Sequence, residues 1–295
     1  MIIMAMTIAI YGNKPRDPQR RAEVIDMMAL LTRYAEVGVK FLLEERYSSY
    51  LAQYTSVAKG YAVFESCNPP VTDLVMSIGG DGTFLRTANS VGALETPIIG
   101  VNSGHLGYLA AAQISDMPHV MEQILGGECT VESRSVLAVT SPDTALKGHP
   151  FALNEVAIMK QDTASMITVS TFLSTTLLAE YRADGLIVST PTGSTGYNLS
   201  VGGPVVAPSA PVWIVSPIAA HSLAMRPLVV SDSECVDTRV SSRSGSYLLS
   251  IDGKSQVLDE SVRLHIERAP WRVNVVHLPG QNFPLTLRSK LFWGV

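Results

Sequence analysis

Leu74-Val75-Met76-Ser77-Ile78-Gly79-Gly80-Asp81-Gly82-Thr83 is the stretch of this 295-residue chain that decides its fold. Five residues of β type run into three glycines set around one aspartate, and Thr83 to Val91 then reads as a helix. A strand that ends in glycine and leads into a helix is where an open α/β sheet presents ligands, at the carboxyl ends of its strands. Glycine lets the main chain approach an anion closely and take positive φ, and the helix N-terminus supplies free N–H groups and positive partial charge. Two commoner phosphate loops are excluded. GxGxxG fails because Leu85 stands where the third glycine belongs, and GxxxxGK[ST] has no match. Asp81 is the oddity, since a carboxylate in an anion cradle repels the ligand unless it holds Mg²⁺ or takes a proton from an attacking hydroxyl. Both uses belong to phosphoryl transfer. The alternative is an Asx-type hydrogen bond that caps the next helix, and spacing alone leaves the two readings level.

Working outward, Met1 to about Ala112 alternates short β-type runs with helical ones. Thr7-Ile8-Ala9-Ile10 reads as a strand and Pro18 to Gly38 as a helix, with Val24, Met27, Met28, Leu31 and Tyr34 recurring at three- and four-residue intervals. That alternation predicts an α/β domain with an open, mostly parallel sheet. The apolar opening Met1 to Ile10 lacks the basic start and cleavage site of a signal peptide and is expected to be the first buried strand. Ile114 to Gly126 is expected to be a helix, after which hydroxyl and β-branched residues alternate in period two. Strands are expected at Ser135 to Thr140, Ser165 to Phe172, Pro211 to Ser216, Ser246 to Ile251, Ser261 to Glu267 and Trp271 to Leu278, the spacing of an all-β sandwich or barrel. The boundaries read this way are 1–112 for the α/β domain and 113–278 for the β-rich one, with the apolar tail Phe283 to Val295 expected to pack.

The bulk numbers narrow the function classes. A net charge of −4 and a pI near 5.9 exclude a basic face for nucleic acid, which needs clustered Lys and Arg. No apolar run approaches the roughly 18 to 20 residues of a membrane span. Cys67, Cys129 and Cys235 are odd in number and outside CxxC spacing, so neither a disulfide framework nor a zinc site is indicated, and a reduced, cytoplasmic protein is expected. The histidines show no HxxxH spacing.

Gly79-Gly80-Asp81-Gly82-Thr83 resembles the GGDGT motif of NAD kinases, a superfamily that includes lipid kinases and is related to phosphofructokinases. The later segments choose among them. Asn102-Ser103-Gly104-His105-Leu106-Gly107-Tyr108-Leu109 is similar to the family's NxGxLGF segment, and Asn154-Glu155 to its NE pair. Ser189-Thr190-Pro191-Thr192-Gly193-Ser194-Thr195-Gly196-Tyr197-Asn198-Leu199-Ser200 is similar to STPTGSTAY and its continuation. Arg182-Ala183-Asp184-Gly185, His221-Ser222-Leu223, Asp252-Gly253 and Leu287-Arg288-Ser289-Lys290-Leu291 also fit, in the family's order, across almost the whole chain. Gly196 departs from the usual alanine and Lys254 from the usual glutamine or arginine.

The resemblance implies phosphorylation of the 2′-hydroxyl of the adenosine ribose of NAD, with Asp81 as the catalytic group that accepts the hydroxyl proton. A carboxylate is a weak base at neutral pH, so orienting that hydroxyl counts as much. Gly79, Gly80, Gly82 and Thr83 would form the phosphate-donor loop, with Mg²⁺ arriving on ATP and no protein metal ligand assigned. NAD would lie against Asp81, Gly82, Arg86, Asn154, Glu155, Ser165, Arg182, Asp184, Thr195, Gly196, Tyr197, Asn198, Leu199, Ser200 and Lys254. The physical reading of Asn154 and Glu155 agrees, since Asn offers donor and acceptor together and Glu accepts from ribose hydroxyls. The family also implies that the tail 279–295 returns to the first domain and that the chain assembles as a homodimer or homotetramer. Two rivals remain at this stage: a lipid or sugar-phosphate kinase, and a non-catalytic NAD sensor. The donor is left open among ATP, another nucleotide and polyphosphate.

Overall fold

The computed structural model describes residues 6–15, 17–104, 107–144, 146–148, 150–162 and 165–294. Met1 to Ala5 of the expected first strand, and His105 and Leu106 of the Asn102 to Leu109 segment, lie outside the described residues. The first elements are β1 (Thr7–Gly12), α1 (Pro18–Glu36), β2 (Lys40–Glu44), α2 (Glu45–Leu51), β3 (Ala62–Phe64), β4 (Leu74–Ile78), α3 (Asp81–Val91), β5 (Ile98–Asn102), β6 (Ala112–Gln113), α4 (Met117–Leu125) and β7 (Thr130–Arg134). There follow β8 (Leu137–Thr140), β9 (Phe151–Ala152), β10 (Glu155–Lys160), β11 (Ile167–Leu173), β12 (Thr176–Ala183), β13 (Gly185–Ser189), α5 (Tyr197–Ser200), β14 (Val212–Ile218), β15 (Leu228–Ser231), β16 (Val236–Ser242), β17 (Ser246–Ile251), β18 (Lys254–Asp259) and β19 (Leu264–Arg268). The chain finishes with β20 (Val273–His277) and α6 (Phe283–Leu291).

Two compact units result, 1–133 with 273–295 and 134–272. The first has an eight-stranded sheet in the order β3-β2-β1-β4-β5-β20-β7, with β6 beside β5. β1 pairs in parallel with β2 and β4, and β4 with β5, so the order turns back between β1 and β4. Open α/β sheets bind ligands at such a turning point, beyond the carboxyl ends of the strands. α1 starts at Pro18 behind Asp17, whose side chain accepts the Arg20 N–H at 2.9 Å. Its buried stripe of Val24, Met27, Met28 and Leu31 packs with Ile8 and Ile10 of β1 in one core. Each such side chain contributes about 1.5–3 kcal/mol by leaving water.

The division falls after α4 and β7, not before α4. The change of texture near residue 113 misses it because Met117, Val120, Met121 and Ile124 of α4 join the core of the first unit, while β7 joins its sheet beside β20. The tail belongs to the first unit, with Phe283, Leu287 and Leu291 of α6 half-buried, although α6 has no fully buried residue and Leu285, Phe292 and Trp293 are at least half exposed. The second unit packs two six-stranded sheets, β15-β14-β13-β10-β17-β18 and β12-β11-β16-β19-β8-β9, around Trp213, Tyr247, Val156, Ile158 and Val169.

Candidate active site

The expected site residues are divided between the two units. In the first, the chain leaves β4 through Gly79 at φ +157°, where a Cβ would stand 2.3 Å from Thr83 Oγ1, so this glycine is required by the turn itself. Gly80 and Gly82 differ. Neither has positive φ, and a Cβ on either would meet open space. The fold leaves both positions free for side chains, and their bareness keeps the start of α3 open to a ligand. α3 begins at Asp81, two residues before the expected Thr83, with Gly80 as its cap.

The Asp81 side chain does not cap α3. Its Oδ2 accepts the Tyr108 N–H at 2.8 Å and its Oδ1 the Leu109 N–H at 2.9 Å. A Cβ at Gly107 would sit 2.3 Å from Oδ1, so the glycine lets residues 107–111, the strap between β5 and β6, lie against the carboxylate. One lone pair on each oxygen remains after these bonds. Arg86 does not stand free for a substrate: Nη2 donates to Gly12 O at 2.6 Å, and Nη1 lies 3.5 Å from Oε1 of the buried Glu44. It ties the carboxyl ends of β1 and β2 together. Beside it a cleft of about 460 Å³ is lined by Gly12, Asn13, Lys14, Arg46, Tyr50 and Arg86, among others. The Tyr47 and Tyr50 hydroxyls at this cleft are buried without a hydrogen-bond partner.

In the second unit, one end of the β10 sheet collects Asn154, Glu155, Thr190, Gly196 and Asp252. β10 and β13 pair Glu155 with Ser189, and Val156 lies opposite Ile251 of β17. The β17–β18 hairpin turns on Asp252 (φ 46°) and Gly253 (φ 78°), the Asp-Gly pair that a two-residue type I′ turn favours. From there Asp252 accepts N–H groups of Leu153 at 2.8 Å, Asn154 at 2.9 Å and Glu155 at 3.1 Å. Sequence reasoning noted the Asp-Gly pair without giving Asp252 a role at the site; the type I′ signature was the signal available. Burial raises the Asp252 carboxyl, and the three N–H groups oppose this.

Glu155 is the electrostatic centre of this end. Burial pushes its carboxyl up to about 7, the Asp252 charge adds to the rise, and the Tyr197 N–H works against it. Its Oε2 is buried without a hydrogen-bond partner. A Cβ at Gly196 would stand 3.1 Å from that oxygen and 3.7 Å from Asn154 Nδ2. Gly193 is also obligatory, because a Cβ there would overlap Asn154 O. The run from Thr192 forms a 3₁₀ turn over Thr192–Thr195 followed by α5. Thr195 Oγ1 donates to Thr192 O at 3.3 Å, Leu199 donates its N–H to Gly196 O, Tyr197 and Ser200 are exposed, and Lys254 is exposed at the start of β18.

Asn198 is a correction. It is fully buried, its Nδ2 donates to Ser194 O and Pro204 O, and its Oδ1 accepts from Ser216 Oγ at 2.7 Å. It braces the turn from behind and does not reach a substrate. Asp184, Arg182 and Ser165 lie apart from this end of the sheet. Asp184 pairs with Lys160 Nζ at 2.7 Å, at the far end of β10 from Glu155. Arg182 is exposed on β12 close by, and Ser165 Oγ donates to Asp162. Five residues of strand separate Glu155 from Lys160, roughly 16 Å. The three cysteines are free, and no described helix is long and apolar enough to cross a membrane.

Residues 28–129 match the ATP-NAD kinase N-terminal domain and residues 153–278 the ATP-NAD kinase C-terminal domain. An NAD kinase of Bacteroides fragilis (strain ATCC 25285) is 46% identical over 290 residues, covering 98% of each chain. One of Porphyromonas gingivalis (strain ATCC 33277) is 39% identical over 287 residues, covering 97% of this chain and 98% of its own. Among solved structures, yeast NADH kinase complexed with NADH superposes with a TM-score of 0.84 at 22% identity, over 98% of this chain and 88% of that one. An Archaeoglobus fulgidus NAD kinase in complex with ATP gives 0.69 at 24% identity, over 97% and 98%. At those identities the two structures speak for the fold.

Proposed function

From the premise that this chain belongs to the ATP-NAD kinase family, we propose that Asp81 and Glu155 are the two carboxylates through which it phosphorylates NAD. The reaction transfers the terminal phosphate of ATP to the 2′-hydroxyl of the adenosine ribose and yields NADP. The observation that carries Asp81 is its mooring: both oxygens are held by strap N–H groups at the mouth of a turn whose Gly80 and Gly82 face open space. A carboxylate used only to cap α3 would not be arranged so. Phosphoryl transfer asks the protein for positioning and charge neutralisation. Asp81 aligns the acceptor hydroxyl and takes its proton, for which general-base help of about 10²–10⁴-fold is typical.

The N–H groups at the start of α3 receive the transferred phosphate. Lys14 and Arg46 of the neighbouring cleft suit the remaining donor phosphates. Mg²⁺ fits as a passenger of the nucleotide, since it keeps several waters and takes one or two carboxylates besides phosphate oxygens. Asp81 would be its protein oxygen, and the ion would neutralise charge on the donor. At the β end, the unpartnered Glu155 Oε2 accepts a ribose hydroxyl, and Asn154 and Gly196 flank the adenosine.

Asp184, Arg182 and Ser165 stand roughly 16 Å from Glu155, by the strand rise, a separation that suits residues offered to the site of a second copy of the chain. A homo-oligomer suits that arrangement, and the free thiols suit the cytoplasm. Purified protein with NAD, ATP and Mg²⁺ is expected to yield NADP, and phosphorylation of a lipid or sugar in its place would overturn the reading. Asp81→Asn should keep NAD affinity and lose most turnover; near-normal kcat removes Asp81 from the chemistry. Dilution to verified monomers should abolish activity, and a monomer turning over normally refutes the shared site.

A further inference from the structure

α6 has no fully buried residue, although Phe283, Leu287 and Leu291 along one side of it are half-buried. Its attachment is also polar. Lys290, in the last turn, donates from Nζ to Tyr108 O at 3.0 Å and to Ala110 O at 2.5 Å. Gln281, just before the helix, donates from Nε2 to Ala111 O. These are the peptide groups of the strap that moors Asp81, whose oxygens accept the Tyr108 and Leu109 N–H groups. The strap is therefore gripped on both sides, its N–H groups by the carboxylate and its C=O groups by the ammonium. The Ala111 N–H donates to Gly100 O at 2.9 Å, fixing the far end of the strap to β5. Between that anchor and Gly107, Asp81 holds the strap by its N–H groups and Lys290 holds it by its carbonyls.

We infer that Lys290 is a positioning residue for the phosphoryl-transfer step, which sets where the Asp81 carboxylate stands by holding the 108–110 strap through its carbonyls. The geometry has an electrostatic side as well. A cation on a peptide carbonyl polarises that peptide and makes the N–H beyond it a stronger donor, as in any hydrogen-bonded chain. The Tyr108 carbonyl and the Leu109 N–H belong to one peptide group, so Lys290 and Asp81 Oδ1 address the two ends of the same dipole. A misplacement of about 1 Å at a reacting group can cost about 10²-fold in rate. Loss of the ammonium should therefore lower kcat while leaving the NAD and ATP pockets, and so KM, nearly as they were.

The inference rests on Asp81 acting on the acceptor hydroxyl, and the experiment separates the two ideas. The protein is prepared as wild type, Lys290→Met, Lys290→Arg, Asp81→Asn and the Lys290→Met/Asp81→Asn pair. Expected are a fall of about 10–100-fold in kcat for Lys290→Met with KM changed less than threefold, and partial recovery in Lys290→Arg, which keeps the cation. Amide hydrogen exchange should become at least tenfold faster at Tyr108 and Leu109. In the Asp81→Asn background Lys290→Met should cost no further turnover, because both changes act on one group. An inactive Asp81→Asn beside a Lys290→Met enzyme with normal kcat and unchanged exchange refutes the inference alone. A fully active Asp81→Asn refutes the reading beneath it. Should Lys290→Met unfold, Lys290→Gln, which keeps a polar head without the charge, takes its place: wild-type kcat together with wild-type exchange at both amides overturns the proposal, and a fall in kcat with faster exchange supports it.

Discussion

Replacing Glu155 by Gln should make the protein more stable and a worse enzyme. The carboxyl titrates at about 7 in the folded chain against an ordinary 4.5, first because it is buried and second because Asp252 is its neighbour. For an acid with a raised value, the unfolded chain has released its proton through the window from about 4.5 to 7 while the folded chain still holds one. Stability therefore falls as pH rises through that window, and the penalty is complete above pH 7. At about 1.4 kcal/mol per pH unit, the gap amounts to about 3 kcal/mol. Glutamine has the same shape, keeps an oxygen for the Tyr197 N–H and carries no charge to desolvate. Urea unfolding at pH 8 should place Glu155→Gln about 2–3 kcal/mol above wild type, with the difference shrinking to nothing near pH 4.5. The same variant loses the ionised acceptor for a ribose hydroxyl, a bond worth about 1.5–3 kcal/mol, so NAD should bind about 10–100-fold more weakly at pH 8. A stability difference that stays flat with pH, or a variant weaker than wild type at pH 8, would show that Glu155 is not held against its own ionisation.

Gly79→Ala should cost about 1–3 kcal/mol in urea unfolding, because a Cβ at φ +157° drives into Thr83; wild-type stability would refute the strain. Gly82→Ala is the contrast, an exposed helical position facing open space, where alanine should hold or raise stability by up to about 1 kcal/mol yet cut turnover by obstructing the phosphate. Unchanged kcat in Gly82→Ala would remove the turn from donor binding. His265 lies 2.8 Å from Asp237 and 3.6 Å from Glu267; burial opposes its charge, but the two carboxylates outweigh that and raise its pKa. Its contribution is present in full below about pH 6.5 and is lost as pH rises through the folded value. The difference in melting temperature between wild type and Asp237→Asn should be larger at pH 6 than at pH 9, and an equal difference at both would refute the pairing.

What the sequence made legible was whatever one local rule could decide. Helical spacing found α1, a strand running into glycines found β4 and its turn, and period-two texture found most of the β unit. Three things escaped. The partners of Asp81 stand 27 and 28 residues downstream, so no spacing rule distinguishes a moored carboxylate from a helix cap. The unit boundary escaped because the helix at 114–126 reads together with the β texture that follows it, and only the packing of α4 in the first core and of β7 beside β20 assigns both to the first unit. Asn198 escaped because a motif marks a turn without saying which of its side chains face inward, and this one is used up on Ser194, Pro204 and Ser216. Conversely, the separation of Asp184 from Glu155 follows from strand direction alone once β10 and β13 are seen to be antiparallel.

The interleaving of the two units bears on the order in which the chain can fold. β20 lies between β5 and β7, so the first sheet stays open there until residues 273–277 exist, although β1 to β5 are made early. The second unit is one uninterrupted segment, 134–272, and can close while the sheet begun before it still waits. During synthesis at roughly 5–20 residues per second, β7 and the Ile98 end of β5, which β6 does not cover, remain unpaired for several seconds or more while the intervening segment is made. Such exposed edges invite pairing with other chains. The enzyme is therefore expected to be most vulnerable to aggregation when translation stalls within the second unit, and least once β20 has slotted into place.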